Sequence, residues 1–177
     1  GTRLDLSEIL AFNDWDELAA LRRMGAETHG HEGLMIKQLQ SLYVAGRPKG
    51  PWFKWKRDPR LIDTVMMYAQ RGHGRRSSFY SDYTFGIWRG NEIVPVGKAY
   101  SGFTDGELRD LDKWVRGNTV NRFGPVREVE KQLVVELAFD SAHDSPRHKS
   151  GIALRFPRVS RIPVSYTHLT LPTIYSV

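Results

Sequence analysis

Thr104-Asp105-Gly106-Glu107 is a capping box, and it sets one helix inside a stretch of chain that otherwise reads as β-strands. Leu108, Leu111, Trp114 and Val115 follow it at helical spacing. Upstream, Ile62 to Ala69 is an apolar run holding Val65, Met66 and Met67. Phe79 to Trp88 alternates Tyr83, Phe85 and Ile87 within a polar frame. Glu92 to Tyr100 follows a Gly90-Asn91 turn, a hairpin signal. Downstream, Gln132 to Phe139 and Ile152 to Phe156 are further strand candidates. Three strands, a helix and two strands is the element order of an OB-fold barrel. The expected class is therefore α+β or mainly β, with a five-stranded barrel and one helix over 59–162.

Asp58-Pro59 is a natural boundary, and residues 1–58 read differently. Asp5 to Phe12 reads as a strand or strand end. Asn13 or Asp14 then caps a helix carrying Trp15, Leu18, Ala19, Leu21 and Met24, with Gly25 and Gly30 expected to end it. Glu32 to Lys37 is a short apolar strand, Gly46 to Gly50 a Pro/Gly-rich turn, and Pro51 to Lys56 another strand. Below about 60 residues a core is marginal, so this block is expected to be the end of a larger domain. A start without Met agrees with that expectation.

Composition narrows the classes further. The chain has no Cys among its 177 residues, so it has neither disulfides nor thiolate metal sites. No apolar run approaches the ~20 residues of a membrane span, and no signal peptide opens the chain; a reducing, cytoplasmic setting is expected. The net charge is +6, and between Arg47 and Arg76 nine basic residues face only Asp58 and Asp63. Trp52, Phe53, Trp55, Phe79, Tyr80 and Tyr83 interleave with those charges. A solvated basic face accounts for the charges alone; rings together with cations suit stacked bases and phosphates.

Two segments carry candidate chemistry. In Glu32-Gly33-Leu34-Met35-Ile36-Lys37, a carboxylate opens a strand; it reads either as a surface Glu before a core strand or as a group beside Mg²⁺-neutralised phosphate. In Lys54-Trp55-Lys56 the alternation of a strand aims both ammonium groups to one side. An anion between them relieves their repulsion, although lysines on an exposed edge strand are also a guard against aggregation. His29-Gly30-His31-Glu32 has poor spacing for zinc and reads as a loop. Arg71-Gly72-His73-Gly74-Arg75-Arg76-Ser77-Ser78 has no phosphate-loop signature and reads as a basic loop between the first two barrel strands.

In this order and spacing the two segments resemble the fourth and fifth motifs of covalent nucleotidyltransferases, and the flanking residues are similar to bacterial ATP-dependent DNA ligases. The resemblance implies that 1–58 is the C-terminal part of the adenylation domain and 59–162 the OB-fold domain. It implies Glu32 near Mg²⁺, Lys37 beside the nucleotide, and Lys54 and Lys56 as catalytic groups on the α-phosphate and nick phosphate. Arg155-Phe156-Pro157-Arg158-Val159-Ser160-Arg161 resembles the start of motif six, where Arg155, Arg158 and Arg161 are expected to orient the β,γ-phosphates through bidentate grips. Arg71, Arg75 and Arg76 are expected on DNA backbone, and Lys98 and Arg127 are weaker candidates. ATP, Mg²⁺, nicked duplex DNA, a monomer and a bacterial cytoplasm complete the implied set.

Two features depart from the family pattern. The nucleophile motif Lys-x-Asp-Gly occurs nowhere in the sequence, so this chain alone is expected not to form a lysyl-adenylate. After Arg161-Ile162 the family's next Arg, Asp and Lys are replaced by a tail from Pro163 without any Asp, Glu, Lys or Arg. That tail, 163–177, resembles translated adaptor sequence and is expected to be non-native. RNA ligase, RNA-capping guanylyltransferase and a non-catalytic OB-fold nucleic-acid module are the alternative readings.

Overall fold

The computed structural model describes residues 3, 9–47, 49–72, 74 and 77–162. The expectations for Asp5 to Glu8, His73, Arg75, Arg76 and the tail from Pro163 lie outside these residues. Two compact units divide between Asp58 and Pro59.

The first unit is built from helix α1 (Trp15–Thr28) and strands β1 (Gly33–Lys37) and β2 (Trp52–Lys56). Asp14 caps α1 by accepting the Glu17 N–H at 2.8 Å. Gly25 does not end the helix, which runs on to Thr28. A side chain at Gly25 would meet the His31 ring 3.0 Å away, so this glycine makes room for the returning chain. His29 and His31 stack there at 5.3 Å. Ile9 to Phe12 is not a strand: it is irregular, and Ile9 is 86% exposed. β1 and β2 pair antiparallel, with Gly33 opposite Lys56, Met35 opposite Lys54 and Lys37 opposite Trp52.

The second unit is a curled antiparallel sheet in the order β11-β8-β3-β4-β5. Its strands are β3 (Arg60–Arg71), β4 (Tyr80–Arg89), β5 (Glu92–Ala99), β8 (Val134–Phe139) and β11 (Arg158–Arg161). Between β5 and β8 come helix α2 (Asp105–Gly117) and a hairpin of β6 (Thr119–Phe123) and β7 (Val126–Val129) that pairs with the end of β3. β9 (Ser141–Asp144) and β10 (Ile152–Arg155) form a separate pair. The capping box is present: Thr104 Oγ1 accepts the Glu107 N–H, and Glu107 accepts the Thr104 N–H.

Bulges at Met67 in β3 and at Ser81 in β4 let the sheet curl. The curl returns to its start where the Val159 N–H of β11 donates to the Ser101 carbonyl just beyond β5, at 2.9 Å. Gly102 stands at this closure with φ +96°, and a Cβ there would strike the Val159 backbone. Inside the curl, Met66, Tyr83, Phe85, Ile87, Val94, Val96 and Leu137 are fully buried. α2 plugs one end with Leu108, Leu111 and Val115, each contributing at most about 1.5–3 kcal/mol by burial. A smaller cluster of Val65, Met67, Ile93 and Val134 covers the other face of β3. The three strands before α2, α2 itself, and β8 and β10 after it agree with the sequence reading; β6, β7, β9 and β11 are additional to it, and β11 rather than β10 takes the fifth place in the main sheet.

Candidate functional site: a lysine face on the first unit and arginine strands on the second

The register of β1 and β2 places Lys37, Lys54 and Lys56 on one face, together with Met35 and Trp52. All three lysines are exposed. Lys37 Nζ lies 4.9 Å from the centre of the Trp52 ring, a cation–π contact. Trp52 is fixed in turn by its Nε1–H donating to Ser41 Oγ at 2.8 Å and by the Tyr43 ring at 5.7 Å. The face therefore has a rigid aromatic end and a doubly cationic end.

Lys54 and Lys56 are two residues apart, about 7 Å along the strand. Their repulsion is about 0.6 kcal/mol in water and rises severalfold when a ligand excludes water. The pair is thus tolerated when solvated and favourable to an anion that lies between the two ammonium groups.

The opposite face of the strand pair, with Leu34, Ile36 and Trp55, is half-buried. Trp15 of α1 meets the Trp55 ring edge-on at 6.4 Å. Arg22 of α1 lies 4.9 Å over the same ring, donates to the Lys56 carbonyl and pairs with Asp58 at 3.5 Å. Its side chain is only 11% exposed, so one cation ties the lysine-bearing end of β2 to the helix.

Glu32 precedes β1, and its carbonyl accepts the Arg57 N–H at 2.9 Å. Among the described residues no group of three or more His, Asp or Glu converges to hold a metal. A single carboxylate fits Mg²⁺ that takes its other oxygens from phosphates and water, and does not fit an all-protein cage.

On the second unit, Arg155 ends β10, while Arg158 and Arg161 bound β11. Arg158 pairs with Asp140 at 3.5 Å and Arg161 with Glu136 at 3.9 Å; Arg155 lies 5.1 Å over Phe156. Phe156 has φ +52°, so the chain turns sharply between the two strands. Such exposed pairs are worth about 0–1 kcal/mol, weak enough for a phosphate to displace. Arg71 ends β3 and lies 5.7 Å over the Tyr80 ring, and Lys98 pairs with Asp82 at 3.7 Å.

The sequence reading missed Met35 and Tyr43 as companions of the lysines and had Trp52 only as one of several interleaved rings. The alternation Trp52-Lys54-Lys56 was the signal for Trp52; the register that adds Met35 exists only in the folded pair.

A closed antiparallel curl plugged by one helix defines the second unit as an OB-fold domain, preceded by a strand pair with an exposed lysine face. Residues 76–163 match the family model of the ATP dependent DNA ligase C terminal region. Over 137 residues the chain is 47% identical to a probable DNA ligase of Koribacter versatilis, covering 77% of this chain and 24% of that protein. It is 40% identical over 154 residues to a probable DNA ligase of Opitutus terrae, covering 85% of this chain and 15% of that protein. The chain belongs to the ATP-dependent DNA ligase family, of which it carries the C-terminal region, and it spans a quarter or less of these two relatives.

Among solved structures, Pmar-Lig superposes with TM-score 0.60 at 20% identity, over 84% of this chain and 30% of that one. The ligase domain of M. tuberculosis LigD gives TM-score 0.50 at 22% identity, over 83% and 47%. Both likenesses concern the fold.

Proposed function

We propose that the chain is the C-terminal part of an ATP-dependent enzyme that seals nicks in duplex DNA. Residues 1–58 are the end of its adenylation domain and 59–162 its OB-fold domain, while 163–177 are foreign to it. The whole enzyme moves AMP from ATP to a lysine, then to the 5′-phosphate of a nick, and the 3′-hydroxyl finally displaces AMP. The observation that carries this reading is the β1–β2 face, where Lys37, Lys54 and Lys56 share one side and Trp52 stands beside them.

In this mechanism Lys54 and Lys56 hold the α-phosphate and the nick phosphate and neutralise charge that grows as the phosphoryl group transfers. Lys37 binds the nucleotide beside Trp52. Glu32 is the carboxylate that would hold Mg²⁺, which when bound neutralises phosphate charge. Arg155, Arg158 and Arg161 orient the β,γ-phosphates; Arg158 and Arg161 must exchange Asp140 and Glu136 for phosphate oxygens to do so. The nucleophilic lysine is not in this chain, since Lys-x-Asp-Gly does not occur in it. Among the described residues no helix is long and apolar enough to cross a membrane, and a monomeric enzyme of the bacterial cytoplasm is the setting we propose.

A chimera tests the reading. Residues 1–162 of this chain replace the matching region of the Koribacter versatilis relative. The chimera is expected to seal nicked DNA with ATP, and not to act with GTP or on nicked RNA. Sealing confined to RNA, or GTP use, would assign the chain to an RNA ligase or a capping enzyme instead. The 177-residue chain incubated with labelled ATP is expected to carry no covalent AMP.

A further inference from the structure

The strand that carries Arg158 and Arg161 lies beside one that supplies acidic partners for both. β11 pairs antiparallel with β8, with Arg158 opposite Ala138, Val159 opposite Leu137 and Arg161 opposite Glu136. Ser160 is left over in this register and forms a bulge. On a regular strand Arg158 and Arg161 would face opposite sides. The bulge brings both to the side of Ala138 and Glu136, while Val159 and Leu137 are buried on the other.

Carboxylates crowd that side. Asp140, just past the end of β8, pairs with Arg158, and Glu136 pairs with Arg161. Across the other edge of β8, Asp63 of β3 lies directly opposite Glu136. Asp63, Glu136 and Asp140 against Arg158 and Arg161 give a formal balance of −1. Arg155, its guanidinium over the Phe156 ring, brings the set to neutrality at best. A face built to hold polyphosphate tightly carries an excess of cations; this one does not. Asp63 and Glu136 repel as direct cross-strand neighbours, so Glu136 is better off with a guanidinium beside it.

The two kinds of group are not equally free. Side-chain exposure is 19% for Glu136 and 23% for Asp140, but 69% for Arg161 and 40% for Arg158. Val134 and Ala138, the neighbours of Glu136 on the same side of β8, are both buried. The carboxylates are thus fixed posts, and the arginines are long side chains able to swing away from them. The pairs are also loose, which suits exchange: a planar guanidinium fork grips phosphate oxygens better than a carboxylate 3.5 to 3.9 Å away.

We propose that Glu136 and Asp140 are positioning residues that compete with phosphate for Arg161 and Arg158. They take the two guanidinium groups back as pyrophosphate leaves, and so weaken its hold and speed its release. The inference rests on the reading of the chain as part of a nick-sealing ligase, in which these arginines grip the β,γ-phosphates. In the adenylation step of that reading a lysine amine attacks the α-phosphorus. A P–N bond forms, the bond to the bridging oxygen breaks, and pyrophosphate leaves with that electron pair while the amine gives a proton to solvent. Glu136 and Asp140 take no part in these bond changes and act through the arginines alone.

The test uses the chimera with Glu136→Gln, Asp140→Asn or both, each of which keeps the side-chain shape and removes one charge. Glu92→Gln, whose exposed carboxylate pairs with Lys149 at the start of β5, controls for net charge. Covalent AMP formation is followed in single turnover against ATP concentration, with and without added inorganic pyrophosphate. Each single variant is expected to reach its half-maximal rate at about 2–5-fold less ATP, and the double variant at about tenfold less, with the maximal rate unchanged. Pyrophosphate is expected to inhibit the double variant at about tenfold lower concentration. Sealing of a nick that already carries its 5′-adenylate uses no β,γ-phosphate. It is expected to keep the wild-type rate in every variant, and Glu92→Gln to match wild type throughout.

ATP and pyrophosphate dependences in the double variant equal to those of Glu92→Gln would overturn the competition and leave the ligase reading standing. A higher ATP requirement would refute it too, because the carboxylates would then hold the arginines in their phosphate-gripping pose. Slower sealing of the adenylated nick would assign Glu136 and Asp140 to the fold of the unit rather than to pyrophosphate, against the proposal. No covalent AMP on the parent chimera would remove the ligase reading and the proposal together.

Discussion

Removing Asp112 tests whether one buried carboxylate joins α2 to the start of β4. In Asp112→Ala the Tyr80 N–H loses its acceptor inside the core, which costs about 1–3 kcal/mol. The pair with Arg116 goes as well, but the Arg116 side chain is 49% exposed, so that loss is about 0.2–1 kcal/mol. The sum expected is about 1–4 kcal/mol, enough to lower the melting temperature of a unit this size by about 5 °C or more. Asp112→Asn keeps an acceptor for the Tyr80 N–H and loses only the charge, so it is expected to cost about 1 kcal/mol. The assay is urea unfolding by circular dichroism, with amide exchange at Tyr80 as the local readout. The Asp112 hydrogen bond and then its charge hold the Arg116 guanidinium above its usual range. A raised folded value gives a contribution that is full below the ordinary guanidinium range and is lost only as pH climbs through the folded value. The Asp112→Ala deficit, as far as it reflects Arg116, should therefore be flat across neutral and moderately alkaline pH. Stability of Asp112→Ala within about 0.5 kcal/mol of wild type, with the Tyr80 amide still protected, would refute this reasoning.

Three further outcomes are expected. Gly102→Ala, at φ +96° against the Val159 backbone, should destabilise the second unit by at least about 2 kcal/mol; urea midpoints unchanged from wild type would mean the curl does not close there. Tyr83→Phe removes a buried hydroxyl that donates to the Tyr80 carbonyl and should cost about 1–3 kcal/mol, read by the same unfolding curve. Arg22→Met should loosen the lysine-bearing end of β2 by about 1–2 kcal/mol through loss of the Lys56 carbonyl bond and the stacking on Trp55. Amide exchange over 54–56 reports it, and unaltered protection there would count against the tie.

The barrel was legible where a local device fixes the backbone. Thr104 and Glu107 announce α2 through reciprocal bonds, and Gly90 supplies the turn between β4 and β5 with φ +61°. The β6–β7 hairpin was not legible, because four of the five β6 side chains are exposed and carry no alternation. β9 and β11 are short and largely polar for the same reason. Ile9 to Phe12 failed in the opposite way: apolar residues suggested a strand, yet they lie exposed and irregular. Gly25 was read as a helix end from propensity alone; the packing of His31 against it is a tertiary fact. At the lysine face, period two sufficed to put Lys54 and Lys56 on one side.

The central claim is that the β1–β2 lysine face handles the reacting phosphates. It is tested most directly by single-turnover nick sealing with the chimera carrying Lys54→Ala or Lys56→Ala. Loss of one charge-stabilising group is expected to slow sealing by about 10²–10³-fold, with circular dichroism unchanged and DNA affinity largely kept. Wild-type sealing rates in both variants would contradict the account.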